Sequence, residues 1–334
     1  MKKRQDMIKI AVLGFNGALA SAITGIVDML SLVGVSWQRI QNIPVHSLFQ
    51  VKISSPNGQP LDCINGMHIA VKHSYADVMD ADVFIVPTIG REIIQTLEAN
   101  TALITYLKNI PTPQKSIAAN CTGNFFLAEA GLLDGKTATT HWGYAEFFSH
   151  RYPLVHLNRN LLISRDGEIY CAGGGLAWFD LALHLTERFY GIETAIQTAK
   201  AFVYHRDALQ TSYSLLNIAK AHQDQLVKKV QIYLSDHLKQ ELNFDDVAMK
   251  FNVTNRTLIR HFNTALGLSP HQYLLALRIE AARKYLEETQ HSIEQIMQHV
   301  GYSDASSFRR LFRKKTGLTP VEYRRHFSRQ IIHR

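Results

Sequence analysis

Thr257 to Tyr273 reads TLIRHFNTALGLSPHQY, and fifty residues later Ser307 to Tyr323 reads SFRRLFRKKTGLTPVEY. Phe262, Gly267, Leu268, Pro270 and Tyr273 match Phe312, Gly317, Leu318, Pro320 and Tyr323 in order, so one structural unit occurs twice. Each copy carries its own boundary chemistry. Gly267 and Gly317 can take the left-handed conformation that ends a helix. Ser269-Pro270-His271-Gln272 and Thr319-Pro320-Val321-Glu322 are capping boxes with proline at the first helical position, where a missing N–H is no loss. A helix therefore stops and another starts in both places.

Working upstream, Phe244 to Phe251 and Ser292 to Val300 read as short amphipathic helices, the second opened by the capping box Ser292-Ile293-Glu294-Gln295. Each is followed by a tight turn, Asn252-Val253-Thr254 or Gly301-Tyr302-Ser303, and then by a basic helix. Helix, tight turn, helix is the geometry that sets a recognition helix in the DNA major groove. The two units span about 244–265 and 292–315. The exposed face of the first recognition helix is expected to carry Asn255, Arg256, Thr257, Arg260 and His261. That of the second is expected to carry Ser306, Arg309, Arg310, Arg313 and Lys314. Leu258, Phe262, Phe308, Leu311 and Phe312 are expected in the core. A helix from Pro270 to Glu288 joins the units, with Leu274, Leu277, Ala281 and Tyr285 at core spacing. At about 1.5 Å per residue it spans about 28 Å, close to the roughly 34 Å of a duplex turn, so both units can reach successive major grooves.

Charge agrees with a polyanionic partner. Of 334 residues, the last 110 hold 18 Lys/Arg against 10 Asp/Glu, while the first 224 balance at 18 and 18. The net charge of +8 thus sits where the repeat is, and Lys or Arg laid on phosphate releases condensed counterions. Hydrophobic residues at 46% and charged residues at 19% are ordinary for a globular protein, so disorder is not the default reading. The strongly apolar stretch around Val83 to Val86 is far too short for a bilayer, so no membrane span is expected. Met1-Lys2-Lys3-Arg4 before an apolar run imitates a secretory signal, but Asp6, Lys9, Gly14 and Gly17 interrupt it. Cys63, Cys121 and Cys171 are an odd number in a long chain, which points to a reducing compartment and hence the cytoplasm.

Residues from about 228 to 327 resemble the AraC/XylS-type DNA-binding domain, the two motifs being FDDVAMKFNVTNRTLIRHF and SIEQIMQHVGYSDASSFRRLFRKKTGLTPVEYRR. Met249 and Met297 stand near positions where that family has small residues. The resemblance implies a sequence-specific transcriptional regulator with double-stranded DNA as its partner. It also implies a homodimer, with RNA polymerase as a further possible contact.

The amino-terminal part reads as alternating strands and helices and so as an open α/β sheet. Strands are expected at Ile8 to Leu13, Phe49 to Ser54, Val83 to Pro87 and Lys115 to Ala119, with a hairpin from Asn160 to Cys171 turned at Asp166-Gly167. Arg91 to Leu107 and Trp178 to Phe189 read as amphipathic helices. At Ala119-Asn120-Cys121-Thr122-Gly123 a buried strand runs into the helix Asn124 to Ala130. Such an elbow sets Cys121 at a helix N-terminus, which lowers a thiol pKa, and His141 follows within Thr139-Thr140-His141-Trp142. A Cys and His pair can act as nucleophile and base.

The run NCTGNFFLAEAGLLDGKTATTHW, Asn120 to Trp142, with Leu181 to Tyr190, resembles the type 1 glutamine amidotransferase-like superfamily, its PfpI-like group and the sensor domain of GlxA-type regulators. The resemblance implies a flavodoxin-like α/β sensor and dimerisation domain at 1–203, a linker at 204–225 and an all-α reader with two helix-turn-helix motifs at 226–327. The resembling enzymes place a carboxylate near the cysteine within a pattern like LDxTGPxE. Here Ala22 stands at the Asp position and Ile26 at the Pro, leaving Asp28 as the acidic residue. Three readings stay open for the elbow: an active site, a pocket for a small effector formed by Asp28, Cys121, Thr122, Asn124 and His141, or a structural relic. The leading reading is a non-enzymatic regulator without cofactor or metal, governed by an effector that analogy with relatives makes a nitrogenous metabolite. The competing reading is a cysteine-dependent hydrolase or amidotransferase carrying a DNA-binding domain. An architectural DNA protein would leave a large neutral α/β domain without purpose.

Overall fold

The computed structural model describes residues 7–204 and 222–328, which divide into two compact units between 210 and 211. The strands of the first unit are β1 (Ile8–Leu13), β2 (Phe49–Ser55), β3 (Leu61–Asp62), β4 (His68–Ile69), β5 (His73–Ser74), β6 (Val83–Val86), β7 (Ser116–Asn120), β8 (Thr137–Ala138), β9 (His156–Leu157), β10 (Ile163–Asp166) and β11 (Ile169–Ala172). Its helices are α1 (Ala20–Ser31), α2 (Ser36–Ile40), α3 (Ile93–Ala99), α4 (Thr101–Lys108), α5 (Asn124–Glu129), α6 (Ala145–Arg151), α7 (Trp178–Tyr190) and α8 (Ile192–Ala201).

The main sheet runs β10-β11-β7-β6-β1-β2-β5, parallel throughout except for the β10–β11 hairpin, which turns at Gly167 with φ +61°. Parallel strands covered on both faces read as continuous apolar runs, and β6 and β7 are buried at every position. This is the doubly wound, flavodoxin-like α/β sheet. From β1 the chain moves outward to β2 and β5, then returns to β6 on the other side of β1. The strand order reverses there, and ligands of such sheets bind outside the carboxyl ends of strands at that crevice.

The helix expected from Arg91 to Leu107 is two helices, broken at Asn100. The buried Asn100 side chain donates to the carbonyls of Thr96 (2.8 Å) and Asn16 (3.2 Å), and its backbone leaves the helical region (φ −121°, ψ 40°). A local carboxamide bond here competes with continuation of the helix.

The second unit is helical: α9 (Gln225–Asp236), α10 (Phe244–Lys250), α11 (Asn255–Leu266), α12 (Pro270–Glu288), α13 (Ile293–His299), α14 (Ala305–Thr316) and α15 (Pro320–Phe327). The expected capping boxes at Ser269, Ser292 and Thr319 are all formed, and Gly267 and Gly317 sit at φ +70° and +81°. There are two cores. One gathers Val227, Val230, Leu234, Val247, Leu258, Phe262 and Leu274, the other Ile279, Leu286, Ile296, Phe308, Phe312 and Tyr323. Helix α12 serves both. At about 100° per residue, Tyr273 and Leu274 face away from Ile279, Ala282 and Leu286. A single stripe through Leu274, Leu277, Ala281 and Tyr285 was expected; only Leu274 is buried, the other three being partly buried, because the helix buries nearly opposite faces at its two ends. Of the two unusual methionines, Met297 packs in the second core and Met249 is exposed.

Candidate nucleic-acid interface and effector site

The repeat sets two helices in equivalent surroundings. Thr254 caps α11 by accepting from the Thr257 amide, and Asp304 caps α14 by accepting from the amides of Ser306 (3.4 Å) and Ser307 (2.7 Å). Leu258, Phe262 and Leu266 are buried on α11, as are Phe308, Phe312 and Thr316 on α14. The opposite faces must then look outward. On α14 these are Ser306, Arg309, Arg310, Arg313 and Lys314, all exposed. Glu294 approaches Arg309 at 3.7 Å, but both are exposed, so the pair is weak and a phosphate can displace it.

On α11 the expected residues part company. Arg256 and Arg260 are exposed. Asn255 donates from Nδ2 to Asp245 Oδ1 (2.9 Å), and the Thr254 hydroxyl donates to that of Thr257 (3.0 Å). The ring of His261 donates from Nδ1 to Asp224 Oδ2 (2.6 Å), a carboxylate that also caps α9 through the Val227 amide (3.1 Å). Desolvation is the largest single influence and pushes the Asp224 carboxyl up, but the Val227 amide and His261 together outweigh it and hold the group below the usual carboxylate range. The repeat accounts for His261: its counterpart Leu311 packs on the second core, so the position lies at the flank of the outward face. Three outward residues escaped the sequence reading, Ile259, Asn263 and Thr264. Laying the copies side by side finds them, opposite Arg309, Arg313 and Lys314.

The second site is the elbow at the carboxyl end of β7, beside the reversal of strand order. Cys121 holds φ +55°, the left-handed region that non-glycine residues rarely adopt. Its carbonyl accepts from Asn124 Nδ2 (2.9 Å) and from the Thr140 hydroxyl (3.1 Å). Asn124 Nδ2 also donates to the Ala172 carbonyl (2.9 Å), and the Thr122 hydroxyl to that of Ile89 (3.0 Å). Asn120 Nδ2 donates to Thr88 Oγ1 (2.6 Å) and the Gly175 carbonyl (3.2 Å). These bonds clamp the turn. They leave the buried Oδ1 atoms of Asn120 and Asn124 without a donor among the described residues.

A lowered thiol pKa was expected and the opposite holds. Burial pushes Cys121 up to about 11, with the amide and hydroxyl of Thr122 pulling only part of the way back. The elbow residues 121–123 are a 3-10 turn and α5 has six residues, so little helix dipole opposes that burial. His141 accepts at Nδ1 from the Gly143 amide (3.1 Å) and lies against Trp142 and Tyr144, its pKa lowered by burial. No hydrogen bond joins it to Cys121 among the described residues. Asp28 is exposed on α1 and its carboxylate has no partner among the described residues, while Ala22 is buried. Cys63 and Cys171 are buried, as small apolar residues would be.

Comparison with known proteins follows the same division. A helix-turn-helix domain profile matches residues 247–326, and the profile of the DJ-1/PfpI family matches residues 33–187. The HTH-type transcriptional regulator CdhR of Pseudomonas aeruginosa is 28% identical over 86% of this chain and 84% of its own. The HTH-type transcriptional regulator ArgR of the same organism is 33% identical over 65% of this chain and 67% of its own. The chain belongs to the AraC family of HTH-type transcriptional regulators. It is a regulator of transcription with a DJ-1/PfpI domain in front of its reader. A THiJ/PfpI family protein from Pseudomonas syringae shares the fold, with a TM-score of 0.52 at 18% identity over 70% of this chain and 88% of its own. The fold serves enzymes too. Isonitrile hydratase of Pseudomonas putida is 26% identical, but over only 47% of the regulator and 71% of its own chain. No helix among the described residues is long and apolar enough to cross a membrane.

The thiol of this regulator can be tested directly. The thiolate is the reactive form, and a pKa near 11 in place of 9 lowers its fraction at pH 8 about a hundredfold. Iodoacetamide should therefore modify Cys121 at least that much more slowly in the native protein than in urea, the native rate climbing as pH rises toward 11. Peptide mapping that finds Cys121 modified at the rate of a free thiol at pH 8 would mark it as an activated nucleophile.

Proposed function

We propose that the regulator reads operator DNA through the outward faces of α11 and α14, and that a small nitrogenous metabolite bound at the Cys121 elbow sets its affinity. The observation that carries this is an elbow with its geometry kept and its chemistry lost: a strained, clamped turn beside the crevice, holding a protonated thiol with no base bonded to it. An enzyme would need the reverse. The two buried carboxamide oxygens of Asn120 and Asn124 are acceptors, and a ligand bearing N–H groups supplies what they lack. Thr122, whose hydroxyl is committed to Ile89, acts in this reading as a clamp, and the reading leans on Asn120 and Asn124 more than on Asp28 and His141.

The family likeness further supports a cytoplasmic homodimer, split at about 203 and 226, that touches RNA polymerase. Most of the linker expected at 204–225 lies outside the described residues. Both of its described ends are tied to working parts. The Tyr204 hydroxyl donates to Asp180 Oδ2 (2.6 Å) on α7, two residues past Trp178 and next to the Gly175 loop that Asn120 holds. Asp224 holds His261 on the recognition helix α11.

The test is fluorescence anisotropy of the full chain on promoter DNA with a panel of amines and amino acids. A member that shifts affinity for the parent and not for Asn124→Ala supports the reading. A panel without effect on DNA affinity or promoter output removes it. For the DNA contacts, Arg256→Ala or Arg309→Ala is expected to weaken operator binding by about 1–3 kcal/mol and to relax preference at one base position. Uniform weakening across sequences with a shallower salt dependence would instead assign the side chain to phosphate.

A further inference from the structure

Ile259 stands in the middle of the outward face of α11, three residues after Arg256, next to Arg260 and four residues before Asn263. It is 38% exposed, and it is not among the side chains packed on the first core. The other exposed large apolar side chains among the described residues of this unit, Ile232, Met249 and Val321, lie on α9, α10 and α15 and not on a reading face. The repeat sharpens the contrast. Ile259, Asn263 and Thr264 occupy the places that Arg309, Arg313 and Lys314 hold on α14. One copy of the unit thus presents four cations along its face, and the other presents two arginines around an aliphatic and a carboxamide group. Cations on phosphate give affinity without sequence information, while apolar groups on a major-groove edge have one partner there, the C5-methyl of thymine.

We infer that Ile259 is a specificity-determining residue that selects a thymine by contact with its methyl group, and that the first helix-turn-helix carries more of the base discrimination than the second. The inference rests on α11 entering the major groove. The side chain has no hydrogen-bonding group, so against the edges of adenine, guanine or cytosine it desolvates donors and acceptors without replacing them. Discrimination then comes from both the methyl contact and the penalty at the other bases.

The experiment begins with selection of binding sites from a random duplex pool by the full chain. Each thymine of the selected site is then replaced singly by deoxyuridine, which removes the methyl and leaves base pairing intact. The parent protein is expected to lose about fourfold in affinity at one thymine in the half bound by the first unit, the worth of one methyl taken from water. Ile259→Ala should bind the thymine and deoxyuridine sites alike, with Ile259→Val intermediate and thermal melting unchanged for both. Three results would each overturn the inference: no thymine in that half of the selected site, a parent protein indifferent to every deoxyuridine, or an Ile259→Ala profile identical to the parent's. Because deoxyuridine alters only the DNA, the first arm is independent of folding. Failure to select any sequence would remove the DNA-reading assignment on which the inference rests, and is thereby distinguished from the other failures.

Discussion

Gly123→Ala is expected to cost the amino-terminal unit about 3 kcal/mol or more, at or beyond the upper end of what overpacking usually costs. A Cβ at this position would lie 2.3 Å from the Pro87 carbonyl oxygen and 2.9 Å from that of Val86. Both are backbone atoms at the exit of β6, a strand buried at every position, so neither can swing aside as a side chain tip would. The backbone of Gly123 itself is ordinary, with φ −60°, so the requirement is for close approach and not for a left-handed conformation. Separation of β6 from the elbow would also stretch the Thr122 to Ile89 and Asn120 to Thr88 bonds. Gly175→Ala is the control, because nothing lies within 4 Å of its added carbon. Chemical denaturation should find the control near the parent and Gly123→Ala far below it. Equal stability for the two variants would mean that the elbow is not packed as described.

Phe312→Ala should have an effect of similar size in the other unit. The ring is fully buried, edge-on to Tyr323 at 5.4 Å and 5.8 Å from Phe308. Truncation of a buried phenylalanine costs about 3–5 kcal/mol, whereas a lobe of about 50 residues at 0.05–0.15 kcal/mol per residue has a total stability of the same order. The second helix-turn-helix should therefore melt as a lobe. Arg283, buried with its Nε donating to the Tyr323 hydroxyl (2.8 Å) and its Nη1 to Glu280 Oε2 (3.1 Å), would then lose the first of these bonds. Affinity for a two-part operator should fall to what α11 provides alone, and its salt dependence should become shallower as the α14 cations leave the phosphates. Calorimetry that shows a melting temperature within about 2 °C of the parent would contradict this, since 1 kcal/mol alone shifts a small domain by about 4–8 °C.

The helical unit was nearly all legible in the sequence because its boundaries are written in local chemistry. A capping serine or threonine with a partner three residues on, and a glycine after the last turn, specify helix ends without tertiary knowledge. The long parallel strands were legible as apolar runs for a similar reason. What escaped depends on contacts distant in sequence. Strands of two residues such as β5 have no period to detect, and Asn100 breaks a helical pattern only because Asn16 offers it a second carbonyl. The cysteine was the instructive error. Its place in an elbow was readable, but the burial that raises its pKa comes from a sheet assembled around it. His261 lies at the flank of the outward face, a placement that its repeat partner Leu311 on the second core makes readable.

The two cores on opposite sides of α12 carry a consequence for how such a reader changes over time. Sites with no shared packing partners combine additively, so alterations in one lobe leave the other largely untouched. If α11 and α14 read DNA as proposed, drift in the Ile259 surface can then retune one half of a promoter while the arginine surface of α14 continues to moor the protein on the other. Promoters and protein can thus diverge one half-site at a time, with no generation in which the regulator lets go of its target altogether.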